Sequence, residues 1–264
     1  MVVQLHQLTA ALYLIAALVA SLSLALPAPR LGRVSLMLLG TAALAHSLCF
    51  GAMHSGTSTP ALTELPAAVS FMALVGTVFF LVLARRVRLV GFVMLVAPVA
   101  FVSVFVAGLS LPKVAPEVAA PGGSWGHLHV LLASAGLAAL GIAGIAGGFF
   151  LTEHRRLKAK RPLKVRFRLP SMEALDRVNS VALAVGFPLL TLGVITGVFW
   201  VEQDSGRIWT GTAHEIWSVI AWAVYAVVVS LRFATRQGSR QAAASAVVGF
   251  AVLFVAVIGL ELFT

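Results

Sequence analysis

Charge is what this sequence has least of: only 11% of its 264 residues are Asp, Glu, Lys or Arg, against 60% hydrophobic, and the mean hydropathy is +1.00. A water-soluble fold of this length does not carry so little charge. Cysteine is scarcer still. The single Cys49 lies inside an apolar run, so there is no disulfide framework and no Cys-x-x-Cys pair. Its solitude excludes a c-type cytochrome, which needs Cys-x-x-Cys-His, and a dithiol carrier passing electrons to other thiols. Acids number nine against 19 bases, and no two carboxylates share an apolar run in the way proton pumps require. The chain also lacks a Ser-His-acid order, a phosphate-binding glycine loop and a His-Glu-x-x-His motif. Nor does it hold an inverted repeat or a pair of broken spans, which weighs against a solute carrier.

What it has is long apolar runs. Crossing a bilayer as a helix takes roughly 20 apolar residues, and eight stretches meet that need, at about 5–26, 34–53, 66–84, 89–110, 127–151, 178–200, 213–234 and 241–263. The first is too long for a cleaved signal peptide and has no basic leader, so it reads as retained. The expected fold is all-α, one polytopic bundle of eight spans forming a single domain over 1–264.

Basic residues orient the bundle. Loops 27–33, 85–88, 153–171 and 232–240 are alternate connections and hold 16 of the 19 Lys and Arg, which places them in the cytoplasm and both termini outside. The net charge of +10 follows from this asymmetry and suits anionic headgroups of the lipid bilayer; no nucleic-acid partner is implied. The longest inner loop, His154 to Pro170, carries eight bases and no acid. After it, Ser171-Met-Glu-Ala predicts an N-cap at Ser171 and an amphipathic lead-in on the inner surface before the sixth span. Glycines at 141, 144, 148, 193 and 197 recur at helix-packing intervals, suited to close backbone approach or to a flat cofactor edge. Pro98 and Pro188 predict kinks.

Histidine and tryptophan gather at the outer side. His6, His54, His127, His129 and His214 fall at outer span ends, and His154 at the inner face. His46 stands seven residues inside the second span, about 10 Å deep at ~1.5 Å per residue, where an ionisable group is rare without a task. Two neutral imidazoles from separate helices can hold haem iron. His129 opens the fifth span and His214 the seventh, at one height, so they are the first candidates for iron, with His46 the third. His127 lies roughly 200° from His129 around the helix, so only one of the two points inward. Each imidazole can equally be a polar anchor or a cap, and the tryptophans an interfacial belt. A belt does not require Trp209, His214 and Trp217 within nine residues. With Trp200 these suggest an aromatic shelf, and Glu215 beside His214 suggests an orienting carboxylate.

Gly193-Val-Ile-Thr-Gly197-Val-Phe-Trp200, followed by Trp209-Thr-Gly-Thr-Ala-His-Glu-Ile-Trp217 and then Trp222-Ala-Val-Tyr225, resembles the haem-handling segment of the membrane cytochrome c assembly family, of CcsA type with HemX-like relatives. The family pattern is Gly-x-x-x-Gly-x-x-Trp, then Trp-x-Trp-Asp-Pro-Lys-Glu-x-Trp, then Trp followed by Tyr or Phe, and it aligns without a gap. Trp125 to Ala135 with His129 is similar to the family's His-bearing span start, and His46 with Thr63-Glu64 to its early span and loop. Departures are Gly211 and Thr212 in place of Trp and Asp, His214 in place of Lys, and Ser230 in place of a later His.

The resemblance implies a multi-pass protein of the bacterial inner membrane that binds haem b non-covalently in its outer half. The iron would be held by His129 with His214 or His46, the haem face would lie on Trp200, Trp209 and Trp217, and the propionates near Arg207 or Lys113. It implies as partners apocytochrome c and other cytochrome c maturation proteins, which would carry out thioether formation, with no catalytic residue in this chain. The alternative is a HemX-like regulator of haem synthesis whose basic loop 154–170 docks a cytosolic partner.

Overall fold

The computed structural model describes residues 2–26, 29–54, 65–85, 90–110, 124–160, 170–235 and 237–263, and among them every regular element is helical. In order these are α1 Val2–Ala25, α2 Pro29–His54, α3 Leu65–Ala84, a 3₁₀ turn at Val90–Phe92, α4 Val93–Ser110, α5 Ser124–Lys158, α6 Met172–Ser205, α7 Ala213–Phe233 and α8 Ser239–Phe263. Each apolar run has become a helix, the form that satisfies every backbone N–H and C=O without water. By length and composition α1, α2, α3, α5, α6 and α7 can cross a membrane; α4 and α8 contribute shorter apolar stretches at Val93–Leu109 and Ser239–Val255. The chain is a multi-pass membrane protein.

The two longest helices carry the site. α5 has 35 residues and α6 has 34, about 50 Å each at ~1.5 Å per residue, against a hydrocarbon core of ~30 Å. Both therefore extend past the apolar stretches read from sequence. α5 ends in Arg155, Arg156 and Lys158, cations suited to the negative end of the helix dipole. α6 starts where the sequence predicts, with the Ser171 hydroxyl accepting from Ala174 N–H at 3.2 Å.

The expected surface lead-in is instead the first turns of α6 itself. No Gly or Pro interrupts Met172 to Val178, and Asp176 is fastened to α7 by Arg232 at 2.9 and 3.0 Å, the same guanidinium also donating to the Ser180 hydroxyl. Arg232 is largely buried and Asp176 partly so. Asp176→Ala strands that guanidinium and is expected to cost about 1–3 kcal/mol, between the values for exposed and fully buried pairs. The check is the temperature at which the detergent-solubilised protein loses its monodisperse elution peak; an unshifted midpoint contradicts the clamp. Pro98 and Pro188 stand inside α4 and α6, which continue through them.

The helices group into two compact units, Met1–Gly122 with Leu163–Pro170, and Gly123–Pro162 with Ser171–Thr264. In the first, α1 lies against α2 and α4, and α3 against α2 and α4. In the second, α5 runs along α6 and touches α8, while α7 touches both α6 and α8. Of the basic loop, residues 161–169 lie outside the described residues, and the docking role expected of it with them.

Without a hydrophobic driving force between helices in lipid, close van der Waals contact decides their pairing, and small residues permit it. A Cβ added at Gly136 of α5 would stand 2.6 Å from the Leu190 backbone nitrogen, and one at Gly193 of α6 would stand 2.9 Å from the Ala133 Cα. The α5 and α6 backbones are thus in direct contact at these points. Gly144 accommodates the Phe250 side chain of α8, whereas Gly148 faces open space. Helix packing accounts for Gly144 and Gly193; Gly197 serves a different neighbour.

Candidate functional site

His129 sits in the second turn of α5, on the stripe that continues through Ala133, Gly136 and Leu140 and faces α6. Because that stripe lies against glycines, the imidazole comes close to the α6 backbone, and its Nδ1 is 2.8 Å from the Gly193 carbonyl oxygen. A carbonyl only accepts, so Nδ1 carries the proton and the lone pair is on Nε2. The Thr196 hydroxyl donates to the same oxygen at 2.9 Å. Gly197 makes room for the ring: a Cβ there would lie 2.8 Å from Nδ1 and 3.0 Å from Cε1. The Trp200 indole is the next neighbour, its centroid 5.8 Å from that of His129 at 41°. Gly126 gives Trp200 its space, since a Cβ at 126 would be 3.3 Å from the indole.

His214 reaches the same point from α7. Thr212 is the N-cap, its hydroxyl accepting from Glu215 N–H at 3.4 Å, which makes His214 the second helical residue. The His129 and His214 centroids are 6.0 Å apart at 74°. Among the described residues nothing hydrogen-bonds the His214 ring, and it is exposed where His129 is half-buried.

Glu215 does not orient His214 through its carboxylate, as the sequence suggested. It accepts from Thr210 N–H at 2.9 Å, from Gly211 N–H at 2.8 Å and from the Thr210 hydroxyl. This is a capping-box arrangement extended by a residue or two, and its signal, Thr212-x-x-Glu215, is legible in the sequence. The carboxylate fixes the loop carrying Trp209. Gly211 adopts φ +77 in that loop, a conformation a side chain resists, so a tryptophan at this position would be strained.

Two hollows flank the imidazole pair. The larger encloses about 230 Å³, or about 840 Å³ with its open mouth, and is lined by Trp200, Trp209, Gly197, Ile208 and both histidines. The smaller, about 90 Å³, lies between α5, α6, α7 and α8 with Trp217, Leu190 and Leu253 in its wall beside the same two histidines. The single shelf expected from Trp209 to Trp217 is therefore divided. α7 begins between them, so Trp209 stays on the loop while Trp217, about one turn past His214, faces the other hollow. Trp125 lies against Phe199 with centroids 4.9 Å apart and planes tilted by 31°, and Trp222 donates to the Thr191 hydroxyl at 3.0 Å. Arg207 is on the loop bordering the larger hollow, exposed; Lys113 lies outside the described residues.

His46 belongs to the first unit. It is fully buried, with Nδ1 3.2 Å from the Tyr13 hydroxyl and Nε2 3.0 Å from the Ser70 hydroxyl, and it stacks on Phe50. Both ring nitrogens are engaged, each by a hydroxyl from another helix. Cys49 is buried beside His6, His127 is exposed and His154 stacks on Phe150. The side chain of His54 and the loop containing Thr63 and Glu64 lie outside the described residues. Among the described residues no three His, Cys, Asp or Glu converge as a bare-metal site, so the imidazole pair with its aromatic walls is what remains.

Residues 62–264, the stretch that includes this pair, match the family model described as Cytochrome C assembly protein. The chain belongs to that family. Relatives include the cytochrome c biogenesis protein CcsA of Guillardia theta, 27% identical over 186 residues (63% of this chain and 62% of that protein). CcsA of Mesostigma viride is 23% identical over 227 residues, 76% of this chain and 74% of that protein. CcsA of Thermosynechococcus vestitus is 37% identical over 95 residues, 36% of this chain and 30% of that protein. The match thus spans less than two thirds of the Guillardia and Thermosynechococcus proteins. All three are named as biogenesis proteins, and the regulatory alternative draws no support from them.

Proposed function

We propose that this chain holds haem b non-covalently between His129 and His214 and presents it during cytochrome c assembly, in a bacterial cytoplasmic membrane with the site at the outer face. The observation that carries the reading is the imidazole pair. Two imidazoles on opposite sides of one metal ion, at nitrogen–metal lengths of ~2 Å, would have centroids about 6 Å apart, and here they are 6.0 Å apart, on separate helices. Nε2 of His129 has its lone pair available, because Nδ1–H is committed to Gly193. Neutral imidazole pairs are suited to haem iron, and the apolar walls with Trp200 and Trp209 suit a flat porphyrin. His46 is left out of the set because Tyr13 and Ser70 occupy its nitrogens.

When bound, the haem would supply the iron porphyrin that a c-type cytochrome carries. The chain's own residues bind it, fix its face and exclude water from one side. Apocytochrome c and other maturation proteins are the partners this role requires, and they would form the thioether bonds. The distribution of basic residues supports an outer position for Arg207 and Trp209, with Arg207 the cation nearest the mouth for a propionate.

The test is the pigment of the purified protein. After expression with added haem, the preparation is expected to carry close to one haem per chain by the pyridine assay, released by denaturant without covalent linkage. A colourless preparation that also shows no saturable Soret increase on haem titration contradicts the proposal.

A further inference from the structure

The two imidazoles are held very differently. His129 is held by three neighbours: its Nδ1–H bonds the Gly193 carbonyl at 2.8 Å, Gly197 leaves a seat in which any Cβ would collide with the ring, and the Trp200 indole lies against it with centroids 5.8 Å apart. That carbonyl belongs to a helix interior and is itself held by Thr196. The ring can rotate neither its proton nor its plane without losing the bond. His214 has none of this. It is exposed, it stands in the first turn of α7, and no described residue hydrogen-bonds its ring. The carboxylate one residue on, which would be the natural partner, is spent on the loop amides of Thr210 and Gly211.

Resting on the haem reading above, we infer that the seat is asymmetric: His129 is the permanent ligand, and His214 the displaceable one, so that external ligands reach the iron from the His214 face. A locked imidazole with a carbonyl partner is oriented in advance and more basic at its free nitrogen, which favours retention. An unheld imidazole gains no such advantage and must be ordered when it binds, which favours release. The arrangement suits a protein that must keep haem and yet hand it on, since only one bond has to open.

The experiment compares wild type, His214→Ala and His129→Ala as full-length purified proteins, with haem per chain, the visible spectrum and carbon monoxide binding as readouts. His214→Ala is expected to keep most of its haem, to shift from a low-spin to a high-spin spectrum, and to bind carbon monoxide at once when reduced. Free imidazole is expected to restore the low-spin spectrum. His129→Ala is expected to lose haem at least tenfold more than His214→Ala does. If it fails to elute as a single species, His129→Gln replaces it, since that side chain still reaches the Gly193 carbonyl but offers no imidazole. Equal haem loss in the two variants, or greater loss in His214→Ala, overturns the asymmetry while leaving a haem protein. A wild type that binds no haem overturns the underlying reading, and the asymmetry with it.

Discussion

His129→Ala is expected to cut the haem content of the purified protein by about tenfold to a hundredfold, because losing even an outer partner of a metal ligand costs ~10–100-fold in affinity and here the ligand itself goes. The effect should be specific. Besides His214, the ring's neighbours are the Gly193 carbonyl, Gly197 and the Trp200 indole, all on α6, and the α5–α6 contact continues below it through Ala133, Gly136 and Leu140. Elution profile and thermal midpoint should therefore stay near those of wild type while the Soret absorbance per protein falls. Unchanged Soret absorbance removes His129 from the site. A parallel collapse of the elution peak would show instead that the imidazole is a structural bridge between α5 and α6.

A loss of both stability and haem is expected from Gly136→Ala. A Cβ at 136 meets backbone on three sides, 2.6 Å from Leu190 N, 2.9 Å from Leu190 Cα and 3.0 Å from Gly186 O. Backbone inside a helix cannot swing aside as a side chain can, so the two helices must separate. Overpacking of this kind costs about 1–3 kcal/mol, and because the same contact sets the height of His129 against Gly193, haem retention should fall with it. Gly148→Ala, on the same helix, is the control. Nothing lies within 4 Å of its would-be Cβ, and alanine is favoured over glycine in a helix interior by about 1 kcal/mol, so that variant should be as stable as wild type or slightly more so. A Gly136→Ala protein with an unaltered thermal midpoint contradicts the close α5–α6 contact.

How far the sequence reveals these features depends on what sets them. Spans are legible because lipid demands apolar helices of known length, and the eight runs correspond to α1–α8 with shifts mainly at the ends of α5 and α6. Those ends are the polar extensions that hydropathy discounts: Arg155 to Lys158 on α5, Met172 to Arg177 and Val201 to Ser205 on α6. The pairing of His129 with His214 is legible from their common height at two span starts. Neighbours one turn deeper are harder to foresee. That Gly197 seats an imidazole while Gly193 touches Ala133 depends on how α5 rotates against α6, and periodicity on each helix alone leaves that rotation open. His46 shows the same limit, since depth marks it as unusual but the hydroxyls of Tyr13 and Ser70 that satisfy it come from other helices.

The central claim is that two imidazoles, from α5 and α7, meet on one iron. Low-temperature electron paramagnetic resonance of the oxidised, haem-loaded protein tests it most directly. The account predicts a low-spin ferric signal in wild type that is lost in both His129→Ala and His214→Ala, and unaffected in His46→Phe. A high-spin wild type, or a low-spin signal that survives in either of the first two variants, would contradict it.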